Sequence, residues 1–199
     1  SLSLSNNHTL PVLPALPQLR LTTPSLPSSL VELERTVRPE EAASRTPTLR
    51  RALTPAERSI LSRLVDEVAP LAEAKPDPET ALAEVGKLFC AFPAASLSTA
   101  ATEVRMEAYE SALEDVPAWA VAAAGKRWIR GEVTVLEDRP NLSFPPSPPQ
   151  LRALAVDEWS KARGALWRYR RLLQGKAERV VPPEERRAPP KAMLPAMGG

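Results

Sequence analysis

The apolar positions of this chain change their period along its length, and each change marks an element. Leu10, Leu13, Leu16 and Leu19 recur every third residue and alternate with Pro11, Pro14 and Pro17, a spacing that suits polyproline II and excludes a helix interior. Residues 1–50 read as a Pro-rich, disordered leader, interrupted by a short helical turn from Ser28 to Val37 ahead of Pro39. A helical period takes over at Thr54-Pro55-Ala56-Glu57, which offers an N-cap, a first-position Pro and a capping-box Glu in one tetrad. Ile60, Leu61, Leu64, Val65 and Val68 form the stripe of that helix, which is predicted to stop before Pro70. Asp77-Pro78-Glu79 opens the next helix, carrying Leu82, Val85, Leu88 and Phe89 and ending before Pro93.

A third core helix is predicted from about Ser98 to Asp115. Its apolar residues fall in two rows: Leu97, Ala101, Val104, Ala108 and Ala112, then Met106, Tyr109, Leu113 and Val116. Two rows predict neighbours on two sides. A helix rich in Ala and Val follows from Pro117, turns basic at Lys126, Arg127 and Arg130, and ends at Gly131. Pro, Asn and acidic residues make a loop up to Pro149, within which Ser147-Pro148-Pro149-Gln150 repeats the cap-and-box signature. The last helix, about Pro148 to Lys176, has a seam of Leu151, Ala155, Trp159, Ala162, Leu166, Tyr169 and Leu173. Steps of three and four keep one face against a partner helix, either within the same bundle or in a homo-oligomer. The predicted fold is therefore all-α: a single small helical bundle at residues 51–178 with a long basic C-terminal helix, between disordered Pro-rich termini, the tail being residues 179–199.

Composition narrows the function. The 199 residues include 23 Pro, seven Gly and one Cys, Cys90, which leaves neither an internal disulfide nor a cysteine-built zinc site. No 18-residue apolar run is present, so the expectation is a soluble cytoplasmic protein with no membrane contact. The formal net charge of +2 conceals an asymmetry: residues 28–116 balance to −6 and residues 117–199 to +7. A basic half attracts phosphate or an acidic protein surface, although a solvated Arg-rich helix face gives the same balance.

Catalytic chemistry is scarce. The sole histidine, His8, lies in the leader, so no His-based triad or general base can be assembled in the core. None of the seven glycines belongs to a phosphate-cradling loop, and the adjacent carboxylates at Asp66-Glu67, Glu114-Asp115 and Glu137-Asp138 point away from one another on a helix. The chain reads as a binding protein, not an enzyme, with no cofactor and no metal. Two aromatic-basic clusters remain. Trp167 has Arg163 one turn before it and Arg170 and Arg171 one turn after it, a patch that either stacks bases while its guanidinium groups hold phosphates or packs on a neighbouring helix with its charges in water. The second cluster surrounds Trp128 with Lys126, Arg127 and Arg130, further candidate nucleic-acid contacts, although the indole itself continues the row of Val121 and Ala124 into the core.

The pattern Tyr109, Leu113, Asp115, Pro117, Val121, Ala124, Trp128, followed after a loop by Phe144-Pro145 and Leu151-Arg152, resembles the helical module of phage-type replicative helicase loaders over about residues 97–156. The resemblance implies a phage or prophage DNA-replication accessory protein that binds a hexameric helicase and loads or regulates it without hydrolysing nucleotide, and it leaves an initiator or DNA open as further contacts. It places Phe144, Pro145, Leu151 and Arg152 at the partner surface. The Pro-rich leader and the basic extension of the last helix depart from that pattern. They keep two other readings open: a direct nucleic-acid binder using the Arg/Trp face, and a structural or scaffold adaptor. Phe144, stiffened by Pro145 and Pro146, is either an outward anchor for a partner's pocket or a staple folded back on the last helix.

Overall fold

A computed structural model describes residues 24–38, 41, 43–92 and 99–178. Its elements are α1 (Ser28–Arg35), β1 (Thr48–Leu49), α2 (Pro55–Ala72), α3 (Pro78–Phe89), α4 (Thr99–Leu113), α5 (Ala118–Arg130), α6 (Pro148–Gln174) and β2 (Lys176–Ala177). The fold class is all-α, as expected, with a single two-residue parallel pairing of β1 and β2 among the described residues. Residues 1–23 of the predicted leader and the whole predicted tail, 179–199, lie outside the described residues.

Local chemistry starts the helices where the sequence predicts. Thr54 caps α2, accepting a hydrogen bond from the Glu57 amide while the Glu57 carboxylate accepts from the Thr54 amide at 3.0 Å. Asp77 caps α3 by accepting from the Thr80 amide at 3.1 Å. Gly131 ends α5 with φ of 74°, a left-handed conformation that glycine adopts without a side-chain penalty. Proline does not stop α2, however: Pro70 lies inside the helix, which continues through Ala72. Leu71 and Ala72 are buried, and their burial holds the last turn against the hydrogen bond that Pro70 cannot make.

The long helix α6 is the spine, with its seam turned inward along its whole length. Two groups of buried side chains flank it. One joins Leu30 and Leu33 of α1, Leu49 of β1 and Leu61, Leu64, Val68 and Leu71 of α2 to Ala162, Leu166, Tyr169 and Leu172 of α6. The other joins Val85 and Leu88 of α3, Tyr109 and Leu113 of α4, and Val121, Ala124 and Trp128 of α5 to Leu151, Leu154 and Ala155 of α6. Trp119 packs against both groups. Its indole N–H donates to the Leu71 carbonyl at 3.0 Å, and that of Trp159 donates to the Ala72 carbonyl at 3.1 Å. Two tryptophans thereby donate to C-terminal carbonyls of α2 that no full helical turn follows.

Three expectations need correction. The folded region reaches back at least to Pro24 instead of starting at residue 51, because Leu30, Leu33 and Leu49 supply a face of the first core and the Tyr169 hydroxyl donates to the Pro24 carbonyl. Of the two apolar rows on α4, only the one carrying Tyr109 and Leu113 is buried. Ala101, Val104 and Ala108 are exposed, Val104 at 67%, since α3 and α6 lie on one side of the helix and no described element covers the other. The expected single core is two, because α6 is long enough to serve separate groups of helices at its two ends.

Two stability tests follow. Leu30→Ala should cost about 2–5 kcal/mol in chemical denaturation, which a disordered leader would not show. At the start of α2, hydrogen bonds from Arg51 and then Thr54 hold the Glu57 carboxyl down from 4.5 to about 2. A depressed folded-state value gives stability that is fully present above about 4.5 and is lost as pH falls toward 2. E57Q should therefore be less stable than the parent at pH 7, by about 2 kcal/mol, and the gap should close over that acid range.

Candidate functional site

Two surfaces at opposite ends of α6 hold the residues singled out in the sequence. The first is the loop between α5 and α6. Beneath it lie Tyr109, fully buried on α4, and Trp128, 1% exposed on α5. The Trp128 indole donates to the Phe144 carbonyl at 2.9 Å, and the Tyr109 hydroxyl donates to the Pro146 carbonyl. Burial pushes the Tyr109 phenol above its ordinary range, which keeps the proton it donates. At the end of the loop, the Ser147 amide donates to Gln150 Oε1 at 2.9 Å, tying the segment to the first turn of α6.

With its backbone held from below at two points, the Phe144 side chain is 64% exposed. The ring faces outward, which excludes the staple alternative because a staple needs a buried ring. Pro145 is half-buried beside it. Ile129, Val135 and Leu142, which the sequence reading did not single out, are also exposed, at 59%, 43% and 40%. Leu142 rests against Gly131, where an added Cβ would meet its Cδ1 at 3.3 Å. Lys126, Ile129 and Arg130 are exposed and, at steps of three and four, share one face of α5. Neither Lys126 nor Arg130 pairs with a carboxylate among the described residues. The signal for Ile129 was present in its place between these two cations, opposite the buried row through Trp128.

The structure gives three predicted surface residues other duties. Leu151 is fully buried in the second core, so it anchors α6 below the loop and presents nothing to a partner. Arg152 donates to the Ala112 carbonyl at 2.7 Å and to both carboxylate oxygens of Asp115, holding the Asp115 carboxyl below its usual range and clamping the end of α4 to α6. Arg127 bridges Asp157 at 2.5 Å and Glu158 at 2.8 Å, and Lys161 closes the same network. Burial raises the Asp157 carboxyl, but the hydrogen bonds from Lys161 and Arg127 outweigh it and the balance is downward. Arg127 is thus a packing cation, and of its cluster only Lys126 and Arg130 remain free.

The second surface is a groove of about 460 Å³ between the C-terminal half of α6, the end of α2 and Arg45. Trp167 is 42% exposed in it. Arg171, taken from sequence as a phosphate contact, is only 7% exposed and donates to the Ser44 carbonyl at 2.9 Å and the Glu41 carbonyl at 2.8 Å. Its guanidinium lies 5.0 Å from the Trp167 ring centroid, so it backs the indole. Arg170 pairs with Glu73 at 2.5 Å, and Arg163 lies 5.0 Å over the Trp159 ring without an acidic partner.

No group of His, Cys, Asp or Glu that could hold a metal ion occurs among the described residues, and no described helix is long and apolar enough to cross a membrane. No protein-family model, curated protein or solved structure matches the chain.

The loop geometry predicts a specific failure. Trp128→Phe keeps the ring but leaves the Phe144 carbonyl without its donor, so it should cost about 1–3 kcal/mol. Amide exchange should quicken across residues 141–147 while the α2 amides keep their protection.

Proposed function

We propose that this protein acts by contact, docking on a partner protein through the Phe144 loop, and that the partner is a replicative helicase of the phage type. The observation that carries the docking reading is the combination of a 64% exposed ring with a backbone carbonyl bound to buried Trp128. An exposed aromatic on a mobile loop loses much of its binding energy to ordering, whereas one on a fixed backbone does not. Ile129 at the end of α5 and Val135 and Leu142 on the α5-to-α6 connection supply further exposed apolar surface, and Lys126 and Arg130 add a basic fringe. The complementary surface is an apolar pocket with acidic residues at its rim. The narrower choice of a helicase rests on the resemblance of residues 97–156 to helicase loaders, of which Phe144-Pro145 is a part.

Phe144→Ala tests both levels. Because the ring is exposed, melting temperature should change little. Loss of a buried aromatic anchor in the complex should weaken partner binding by about 2 kcal/mol or more, roughly 30-fold. Isothermal titration against the helicase encoded in the same genome, with and without nucleotide, provides the measurement. Absence of any complex with the parent protein would remove the helicase and leave a scaffold adaptor for another partner, while unchanged affinity of F144A would remove the loop as the docking surface.

A further inference from the structure

The groove at the other end of α6 stands apart from the Phe144 loop, since about 29 Å of helix separates Pro148 from Trp167. Its lining combines one exposed indole with four arginines and one carboxylate, Glu73. The four arginines are not equivalent. Arg171 is committed to backbone carbonyls and fixes Trp167 from one side. Arg170 holds Glu73 in an ion pair whose side chains are 44% and 54% exposed, and such surface pairs contribute little and exchange readily. Arg45 and Arg163 have no carboxylate partner among the described residues. The negative end of the α2 dipole, which would oppose an anion here, is covered by the indole N–H groups bound to the Leu71 and Ala72 carbonyls. Positive charge in the groove is thus in excess, and it surrounds an aromatic surface that Arg171 backs from one side.

We propose that this groove binds single-stranded nucleic acid, with a base stacked on the open surface of Trp167 and neighbouring phosphates held by Arg45 and Arg163. Arg170 joins them by exchanging Glu73 for a phosphate oxygen. Stacking needs a ring whose position does not have to be ordered on binding, and Arg171 supplies that. The phosphates need cations at the rim that are not already neutralised, and Arg45 and Arg163 supply those. A duplex hides its base faces, so it can use only the charges. The reading does not depend on the helicase proposal, because none of these residues belongs to the Phe144 loop.

The experiment titrates the full chain with a short labelled oligothymidylate and repeats the titration at several salt concentrations. Inorganic polyphosphate, blunt duplex DNA and polyglutamate serve as competitors. The strand should bind, and its affinity should fall with salt by about 0.7 in logarithmic slope for each phosphate held. R45E and R163E should each flatten that slope by about 0.7. W167A should weaken binding roughly 5- to 150-fold with the slope unchanged, while F144A should bind the strand as the parent does. Circular dichroism checks that each variant stays folded, and the exposed Arg45 and Arg163 keep the test decisive if W167A does not. No binding at low salt would overturn the proposal. Equal displacement by polyphosphate together with an unaffected W167A would reduce the groove to a general polyanion surface, and displacement by polyglutamate alone would assign it to an acidic protein. Either result overturns it.

Discussion

The rest of the architecture depends on how the C-terminus of α2 is closed. Its last carbonyls, at Leu71 and Ala72, sit in residues that are each 5% exposed, where an unpaired acceptor costs about 1–3 kcal/mol. The indoles of Trp119 and Trp159 donate to them. These donors come from α5 and α6, and they set where both helices cross the end of α2. The two cores meet at this junction through Trp119. Once α6 is placed there, its amino end lies over α4 and α5, beneath the Phe144 loop, and its carboxyl end forms a wall of the Trp167 groove. Glu73, one residue past the capped carbonyls, is then within reach of Arg170.

Much of the helical frame was legible in the sequence because helix ends are local events. Thr54 with Glu57, Asp77 with Thr80, Gly131, and the Ser147-Pro148-Pro149-Gln150 tetrad each act within four residues, and each marks a boundary that the structure places within two residues of expectation. The periodic seam of α6 was readable for the same reason. What the pattern could not show was which face would find a neighbour. Both rows of α4 have helical spacing, yet only the one through Tyr109 meets α3 and α6. The leucines of α1 and β1 looked like part of a Pro-rich leader because their partners, Leu166 and Leu172, lie more than a hundred residues further on.

The basic residues show the same limit more sharply. Arg127, Arg152 and Arg171 resemble their free neighbours in sequence, but each has acceptors brought to it by tertiary structure, at separations of 30, 37 and 127 residues. Arg168 is likewise taken up by Glu34, at 3.0 and 2.6 Å. Structural duty thus divides the cations. Those bound to internal acceptors hold helices together, while Lys126, Arg130, Arg45 and Arg163 are left to face solvent. Phe144 follows the same logic from the opposite direction. The sequence offered both a staple and an outward ring, and the ring's exposure, with two buried donors holding the backbone beneath it, excludes the staple.

The dependence of the first core on the last helix also sets an order of events during synthesis. The Arg168 pairing with Glu34 spans 134 residues and the Tyr169 contact with Pro24 spans 145, so α1 and α2 emerge long before the surface that covers their leucines exists. At about 5–20 residues per second, the ribosome takes roughly 5–20 s to travel from the end of α2 to Leu172. Throughout that interval Leu30, Leu33, Leu61 and Leu64 face water or a chaperone. The second core can assemble once the first turns of α6 have left the ribosome, so α1, β1 and α2 become covered last although they are made before the helices of the second core.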